Sequence, residues 1–81
     1  MKLKINWDHK RAKHAIERMT LRGISAGDVE DAILKGKKVI QKDTRLSESF
    51  FRYYSVVYDE YFIKVPQIRR IYPVTVKFLG G

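Results

Sequence analysis

Apolar residues in the N-terminal half of the chain recur at the spacing of amphipathic helices. In the first such segment they fall at i, i+3, i+4 and i+7 of one helix face, at Ala12, Ala15, Ile16 and Met19. Asp8 precedes this helix as a candidate N-cap, and Gly23 suits the left-handed position just past its end. The preceding segment, KLKINW, alternates polar and apolar residues and is typical of a short strand or an extended arm.

The second helix has a stronger start signal. Ser25 and Asp28 have the spacing of a capping box, and Ile24 and Val29 are placed as a hydrophobic staple across it. Gly36 follows as the end of the helix, whose buried stripe consists of Val29, Ala32 and Ile33. The pattern therefore predicts two short helices joined by a tight turn.

Beyond Gly36 the apolar period changes to that of strands. KKVIQK is typical of a strand, DTRLSES of a polar loop, and FFRYYSVVY of an aromatic and β-branched strand. Asp59 and Glu60 predict a hairpin turn before the strand YFIKV, and PQ predicts a turn before the last strand, RRIYPVTVKF. Pro73 cannot donate to a strand ladder, so the last strand lies at an edge or carries a bulge there.

This order of elements predicts an α+β fold. Two N-terminal helices would pack on one face of a three- to four-stranded antiparallel sheet, in a single domain that spans residues 1–81. The chain has no cysteine, which favours a reducing compartment. It also lacks an apolar run of signal-peptide length or of the ~18 residues needed to span a membrane, so we expect a cytoplasmic protein.

Charge is the strongest signal in the composition. Seventeen Lys and Arg residues oppose nine acids, and the formal net charge is +8. An excess of this size favours a polyanionic partner, above all nucleic acid. The alternatives are a partner protein of acidic character, or a basic protein whose charge only keeps it in solution.

One row of polar residues on the first helix is a candidate site. His14, Arg18 and Arg22 are spaced four apart and share a helix face, with Lys10 at the other end of the row. Arg binds phosphate oxygens bidentately, and His, with an unperturbed pKa of about 6.5, can move a proton near neutral pH. The same spacing also describes an ordinary solvated basic face, and spacing alone favours that interpretation.

Two Arg-x-Tyr pairs on predicted strands are further candidates. Spacing of two places Arg52 with Tyr54, and Arg70 with Tyr72, on one sheet face each. Arg would neutralise a phosphate while Tyr stacks on a base or donates a hydrogen bond. The alternative is an amphipathic strand whose Tyr packs in the core. Arg45, in the polar loop, is a weaker candidate.

Several other chemistries find no support in the sequence. His9 and His14 are five apart and share no helix face, and the acids suit caps and turns, so no metal site and no cofactor are expected. There is no glycine-rich phosphate loop, nucleophile elbow or dinucleotide fingerprint. A helix-turn-helix mode is rejected because Asp28, Glu30 and Asp31 would meet DNA phosphates at the start of the second helix.

The segment KHAIERMTLRGISAGDVEDAILKGKKVI resembles the opening of the family known as domain of unknown function 4258. The later motifs YYSVVYD and YPVTVKF resemble its strands, so the resemblance covers roughly residues 13–78. INWDHKRAKH is also similar to the start of BrnT-type toxins. Both groups resemble the wider RelE-like toxins of toxin–antitoxin systems, which are compact α+β ribonucleases that act without metal. The resemblance implies helices on an antiparallel sheet and an antitoxin protein as partner.

Together these observations lead to one hypothesis and two alternatives. The hypothesis is a toxin that cleaves RNA by attack of the ribose 2′-hydroxyl on the adjacent phosphate, a reaction that depends on positioning and charge stabilisation. Ribosome-bound mRNA is one candidate substrate. The alternatives are a non-catalytic RNA-binding module and a protein-interaction module of the same fold. The candidate catalytic residues are His14, Arg18, Arg70 and Tyr72, and the candidate RNA-binding residues are Arg22, Arg45, Arg52 and Tyr54.

Overall fold

The structure is a computed structural model that describes residues 2–79. Five strands and two helices follow one another in the order β1–α1–α2–β2–β3–β4–β5. Their bounds are Lys2–Ile5 (β1), Ala12–Arg22 (α1), Ala26–Lys35 (α2), Lys37–Ile40 (β2), Ser47–Phe51 (β3), Tyr54–Ile63 (β4) and Ile68–Phe78 (β5). The two predicted helices are confirmed, and the α+β class with them.

The start of α1 differs from the prediction, whereas its end agrees. Asp8 does not cap the helix; its own N–H donates to Asn6 Oδ1 over 2.9 Å, and Arg11, without a side-chain hydrogen bond, occupies the N-cap position. Gly23 ends the helix in the left-handed conformation, at φ 69°. Ile16 was predicted in the buried stripe but is 43% exposed, because the helix buries only the narrower row of Ala12, Ala15 and Met19.

The predicted boundaries of α2 are confirmed by the contacts at its two ends. The Asp28 N–H donates to Ser25 Oγ over 3.1 Å, and the Ser25 N–H donates to Asp28 Oδ2 over 2.9 Å, which completes the capping box. Gly36 lies at the end of the helix, where a larger residue would not fit because a Cβ would lie 2.6 Å from the carbonyl oxygen of Phe50. Helix α2 therefore passes directly into β2 where the backbone of β3 lies close.

The sheet has five strands and is mixed, not three- to four-stranded and antiparallel as predicted. Its order is β1-β5-β4-β3-β2, and β1 pairs with β5 in parallel while the other neighbours are antiparallel. The strand added to the four predicted ones is the N-terminal KLKI segment, predicted as a short strand or an extended arm, which pairs with the edge of β5. The predicted strand FFRYYSVVY is divided between β3 and β4, and the start of YFIKV is the end of β4 and not a separate strand. Part of the predicted polar loop belongs to β3, because Ser47, Glu48 and Ser49 pair with β4.

The predicted hairpin turn at Asp59 and Glu60 is wrong. The turn between β3 and β4 lies at Arg52 and Tyr53, where Arg52 has φ 53°, and β4 continues through both acids to Ile63. Cations satisfy the Glu60 carboxylate within the sheet: Lys38 Nζ lies 2.6 Å from its Oε1, and Arg69 Nε contacts Oε2. Asp59 and Glu60 therefore lie in the middle of a long strand and not in a turn.

Pro73 lies at a bulge and not on an edge strand. Strand β5 pairs with β1 on one side and with β4 on the other. Val57 is opposite Thr75 whereas Tyr58 is opposite Pro73, so Val74 is the extra residue on β5. The bulge predicted as one of two alternatives is therefore confirmed.

The two faces of the sheet have different roles. The helices pack on one face, where the core consists of Met19, Ile24, Val29, Ala32, Ile33, Tyr54, Val56, Tyr58, Ile71 and Val76. Alternation along β4 and β5 sends Asp59, Tyr61, Arg70 and Tyr72 to the opposite side of the sheet, which we name the open face. The open face is where polar and aromatic side chains collect.

Candidate functional site

Cross-strand pairing brings basic and aromatic residues together on the open face. Tyr61 of β4 lies opposite Arg70 of β5, and Arg70 in turn lies opposite Lys4 of β1. One pair further along, Asp59 lies opposite Tyr72. Directly opposed residues share a face, with Cβ atoms about 5 Å apart. Register alone therefore assembles a patch of two cations, two phenol rings and one carboxylate.

The loop between β1 and α1 adds two more residues and turns this patch into a cleft. The cleft has a volume of about 560 Å³, within the range of small-ligand sites, and it is lined by His9, Arg11, Asp59, Tyr61, Ile63, Arg70 and Tyr72. A hollow of about 550 Å³ adjoins it, because Arg70 and Tyr72 also line a concavity with residues 4–8. The two concavities share Arg70 and Tyr72 and lie at the β1–β5–β4 end of the sheet.

Three rings in the cleft form a chain of edge-to-face contacts. Tyr72 lies at its centre: the His9 ring is 5.4 Å away at 79°, and the Tyr61 ring is 5.5 Å away at 84°. These are favourable aromatic geometries. The contact with Tyr72 holds the Tyr61 ring in place. Because Tyr61 is 55% exposed, part of its ring remains accessible to solvent.

Asp59 is oriented by two hydrogen bonds. The Tyr61 hydroxyl donates to Oδ2 over 3.1 Å, and the Glu60 N–H donates to Oδ1 over 3.1 Å. The bond to the carboxylate, together with its negative charge, raises the pKa of Tyr61 above the ordinary value of 10.0. Tyr61 therefore remains a neutral phenol at physiological pH, with its hydroxyl used inside the site.

His9 has an unusual environment. Its Nε2 is buried and has no hydrogen-bond partner, the only such side-chain atom within residues 2–79. Buried polar atoms without a partner are uncommon, and each calls for an explanation. His9 is the imidazole nearest to Tyr72 and lines the same cleft as Arg70.

An ionic network on the helix side supports the strands that carry the cleft. Glu60 accepts from Lys38 of β2 and from Arg69 of β5, so one carboxylate ties β4 to strands that lie on both sides of it. Burial opposes ionisation of Glu60, yet the hydrogen bonds from Arg69 and Lys38 outweigh it and lower its pKa below 4.5. The network holds in register the strand segments from which Tyr61 and Arg70 project to the other face.

Of the predicted catalytic residues, the structure brings two together in the cleft. Arg70 and Tyr72 both line it. His14 and Arg18 lie exposed on α1, and neither lines the cleft or the adjoining hollow. The helix row and the Arg70–Tyr72 pair are thus two separate surfaces.

The predicted RNA-binding residues are dispersed. The Arg22 guanidinium lies 4.7 Å from the centre of the Phe78 ring, and Arg45 lies in the loop between β2 and β3 with φ 61°. Arg52 is in the β3–β4 turn, over the Phe51 ring, so it shares no strand face with Tyr54. Tyr54 is 2% exposed, and its hydroxyl donates to the Asp28 carbonyl oxygen over 2.8 Å. It is a core residue, without a face on which a base can stack.

His9, Arg11, Tyr61 and Lys4 are not among the site residues predicted from the sequence. In the sequence His9 suggests at most a metal ligand, together with His14, and Tyr61 follows a predicted turn at Asp59 and Glu60 that the structure does not contain. The alternation Asp59-x-Tyr61-x-Ile63 is visible in the sequence and would have placed these residues on one face of a continuous strand. The contribution of loop 6–11 depends on the parallel β1–β5 pairing, for which no local signal exists.

Comparison with known proteins identifies the family. Residues 12–69 match the model of the family described as domain of unknown function (DUF4258). The chain belongs to this family. No curated protein and no solved structure matches the chain. The family match includes Asp59 and Tyr61, whereas His9, Arg11, Arg70 and Tyr72 lie outside it.

Two further observations concern the described residues as a set. No group of three or more His, Cys, Asp or Glu side chains in residues 2–79 is arranged to hold a metal ion. In the same part of the chain, neither helix has the length and apolar character needed to cross a membrane.

Proposed function

We propose that this protein binds RNA in the cleft and cleaves it by attack of a ribose 2′-hydroxyl on the adjacent phosphate. The observation that supports this most strongly is the convergence of Arg11, Arg70 and two tyrosine rings around one cleft in a protein of net charge +8. Guanidinium groups suit phosphate oxygens, and phenol rings suit nucleobases. RNA is the polyanion that offers both groups side by side with an internal nucleophile.

Arg70 is the central phosphate ligand in this proposal. It lies between Lys4 and Tyr61 in the sheet register and lines both the cleft and the adjoining hollow. Arg11 lines the cleft as well. Two guanidiniums can offset the charge that develops on the phosphorane, which is the largest single contribution to catalysis in many enzymes. The reaction proposed therefore needs no metal ion.

His9 is the proposed proton-transfer group, in place of His14. Its ring packs on Tyr72 in the cleft, next to the two arginines, whereas His14 lies on a different surface. Because the Nε2 of His9 is buried, the reacting nitrogen would be Nδ1, which would take the proton of the 2′-hydroxyl or return one to the leaving 5′-oxygen. Tyr72, at the centre of the ring chain, positions His9 and is the second candidate donor.

We further propose that the protein is the toxin of a toxin–antitoxin pair, as its resemblance to RelE-like toxins implies. Two helices packed on one face of the sheet and a net charge of +8 agree with such a protein in general form. Its antitoxin would be an acidic protein that covers the basic surface. Arg18 and Arg22, on the exposed row of α1, are then candidates for contact with that partner.

A non-catalytic binding module is the second candidate function, and the edge strand β2 favours it. All four of its residues are exposed, among them Val39 and Ile40, and its outer edge is open to another strand. Lys37 adds positive charge to this edge. An acidic partner strand would fit there without any reaction taking place in the cleft.

Cleavage of a 5′-labelled single-stranded RNA by the purified protein, with a chelator present, tests the proposed function. We expect a product with a 2′,3′-cyclic phosphate, at least 10²-fold less of it from H9A and R70A, and full activity from H14A and R18A. Loss of cleavage in H14A and R18A, with full cleavage by H9A and R70A, would mean that the active site lies on α1. RNA that is bound but left intact would favour the binding module.

A further inference from the structure

We propose that the cleft recognises an unpaired guanine and that Asp59 reads it. This inference rests on the proposed RNA binding and adds base specificity to it. Among the described residues that line the cleft, Asp59 is the only acid, whereas Arg11 and Arg70 are basic. A carboxylate repels phosphate, so its place in a phosphate-binding cleft calls for a ligand group that donates hydrogen bonds.

The free hydrogen-bonding capacity of Asp59 matches such a group. A carboxylate accepts about four hydrogen bonds. One site on Oδ1 is taken by the Glu60 N–H and one on Oδ2 by the Tyr61 hydroxyl. Each oxygen therefore keeps about one acceptor site. The two existing bonds also fix the plane of the carboxylate before any ligand binds.

Guanine is the nucleobase that fits two adjacent acceptors. Its Watson–Crick edge presents the N1–H and the N2 amino group side by side, and both are donors. Adenine and cytosine pair one amino donor with a ring nitrogen acceptor, and uracil places one N–H between two carbonyls. A carboxylate thus gains two hydrogen bonds from guanine, but it meets a repulsive acceptor beside the single donor of every other base.

The walls of the cleft suit the faces of a base. Tyr61 and Tyr72 provide rings, and Ile63 adds an apolar side chain. Tyr61 is half-exposed, and Tyr72 and Asp59 hold it in place, so its ring needs little ordering when a base stacks on it. Arg70, opposite Tyr61 in the sheet, is placed for the phosphate of the same nucleotide.

This arrangement also requires the guanine to be unpaired. In a duplex the Watson–Crick edge is occupied by the complementary base, and the face is covered by its neighbours in the stack. Recognition of that edge by side chains is therefore a property of single-stranded loops and ends. The substrate class that we infer is guanine-containing single-stranded RNA.

Fluorescence anisotropy with labelled RNA nine-mers tests this inference. Uridine nine-mers with guanosine, inosine, adenosine or uridine at the centre are compared, all with 2′-fluoro ribose so that no attacking hydroxyl is present. We expect the guanosine nine-mer to bind about 10-fold or more tighter than the adenosine and uridine ones, as one bidentate contact provides. Inosine lacks the N2 amino group, so the affinity of the inosine nine-mer should lie between that of the guanosine nine-mer and those of the other two.

The variant D59N, with D43N as its matched control, assigns the preference to a residue. Both substitutions remove one negative charge, but Asp43 is exposed in the loop between β2 and β3, away from the cleft. We expect D59N to bind all four nine-mers within about twofold of one another, and D43N to keep the guanosine preference. A carboxamide offers one acceptor and one donor, and so it cannot accept from both guanine groups.

The possible failures are distinguishable. Equal binding of all four nine-mers by the unchanged protein would overturn the guanine inference and leave RNA binding in place. A guanosine preference that survives in D59N would overturn the role of Asp59. Absence of binding to every nine-mer would overturn both the inference and the proposed function.

Discussion

Tyr61 and Arg70 lie directly opposite each other on β4 and β5, and both line the cleft on the open face of the sheet. Their pairing places an exposed aromatic ring beside a guanidinium, which is the combination that a nucleotide needs for its base and its phosphate. Asp59 and Tyr72 form the next pair on the same face. The site is therefore a consequence of strand register more than of any single loop.

Replacing Arg70 tests the role of this pair in phosphate binding. We expect R70A to weaken binding of single-stranded RNA and to reduce the slope of log K against log salt by about 0.7, as expected when one phosphate contact to a single strand is lost. R45A, in the exposed β2–β3 loop, removes the same charge away from the cleft and should leave both quantities unchanged. Equal effects of the two substitutions would mean that only net charge matters.

The hydrogen bond between Tyr61 and Asp59 predicts a change in the titration of Tyr61. In the native protein that bond raises the pKa of Tyr61 above 10.0. D59N removes the negative charge that disfavours the phenolate, so the pKa of Tyr61 should decrease toward its ordinary value. NMR of ¹³C-labelled tyrosine, with Y61F to assign the signal, measures it. An unchanged pKa in D59N would show that the two groups are not in contact in solution.

The Glu60 network predicts how stability depends on acid. Because the folded-state pKa of Glu60 lies below 4.5, its contribution is complete above that pH and is lost as the pH decreases through the folded-state pKa. E60Q should reduce the free energy of unfolding at pH 7 by about 1–3 kcal/mol and make it less dependent on pH below 4.5. Urea denaturation at several pH values measures both quantities. E17Q, on the exposed side of α1, is the control, and identical acid profiles for E60Q and the native protein would contradict the network.

Two glycines of the α2 region predict opposite effects on stability. A Cβ at Gly36 would lie 2.5 Å from the Ala32 carbonyl oxygen and 2.6 Å from that of Phe50, so G36A should destabilise the protein by about 1–3 kcal/mol. A Cβ at Gly27 meets only Ser25 Oγ, at 3.6 Å, so G27A should stabilise the helix by about 0.5 kcal/mol. Thermal unfolding of the two variants gives the comparison. Stabilisation by G36A would contradict the close approach of α2 and β3.

The parts of the fold that depend on neighbouring residues could be predicted from the sequence. The capping box of Ser25 and Asp28 and the left-handed Gly23 are local signals, and both occur where the pattern placed them. The hairpin was misplaced because Asp59 and Glu60 have the composition of a turn. Their partners, Tyr72 and Ile71, lie more than ten residues away and keep them in a strand.

The same distinction applies to the candidate site. Arg70 and Tyr72 could be found from a spacing of two on one strand. His9 and Tyr61 could not be joined to them, because one depends on a parallel strand pair and the other on the length of β4. Conversely, the spacing of His14, Arg18 and Arg22 describes a real helix face, but the fold leaves that face away from the cleft.

Chemical-shift mapping tests the central claim, that RNA binds in the cleft, most directly. ¹⁵N-labelled protein would be titrated with a single-stranded 2′-fluoro RNA nine-mer that contains one guanosine. We predict that the largest amide shifts occur in residues 6–11, 59–63 and 70–72, the segments that carry most of the side chains lining the cleft and the adjoining hollow. Shifts confined to α1, around His14, Arg18 and Arg22, would contradict the account and place the RNA on the helix row.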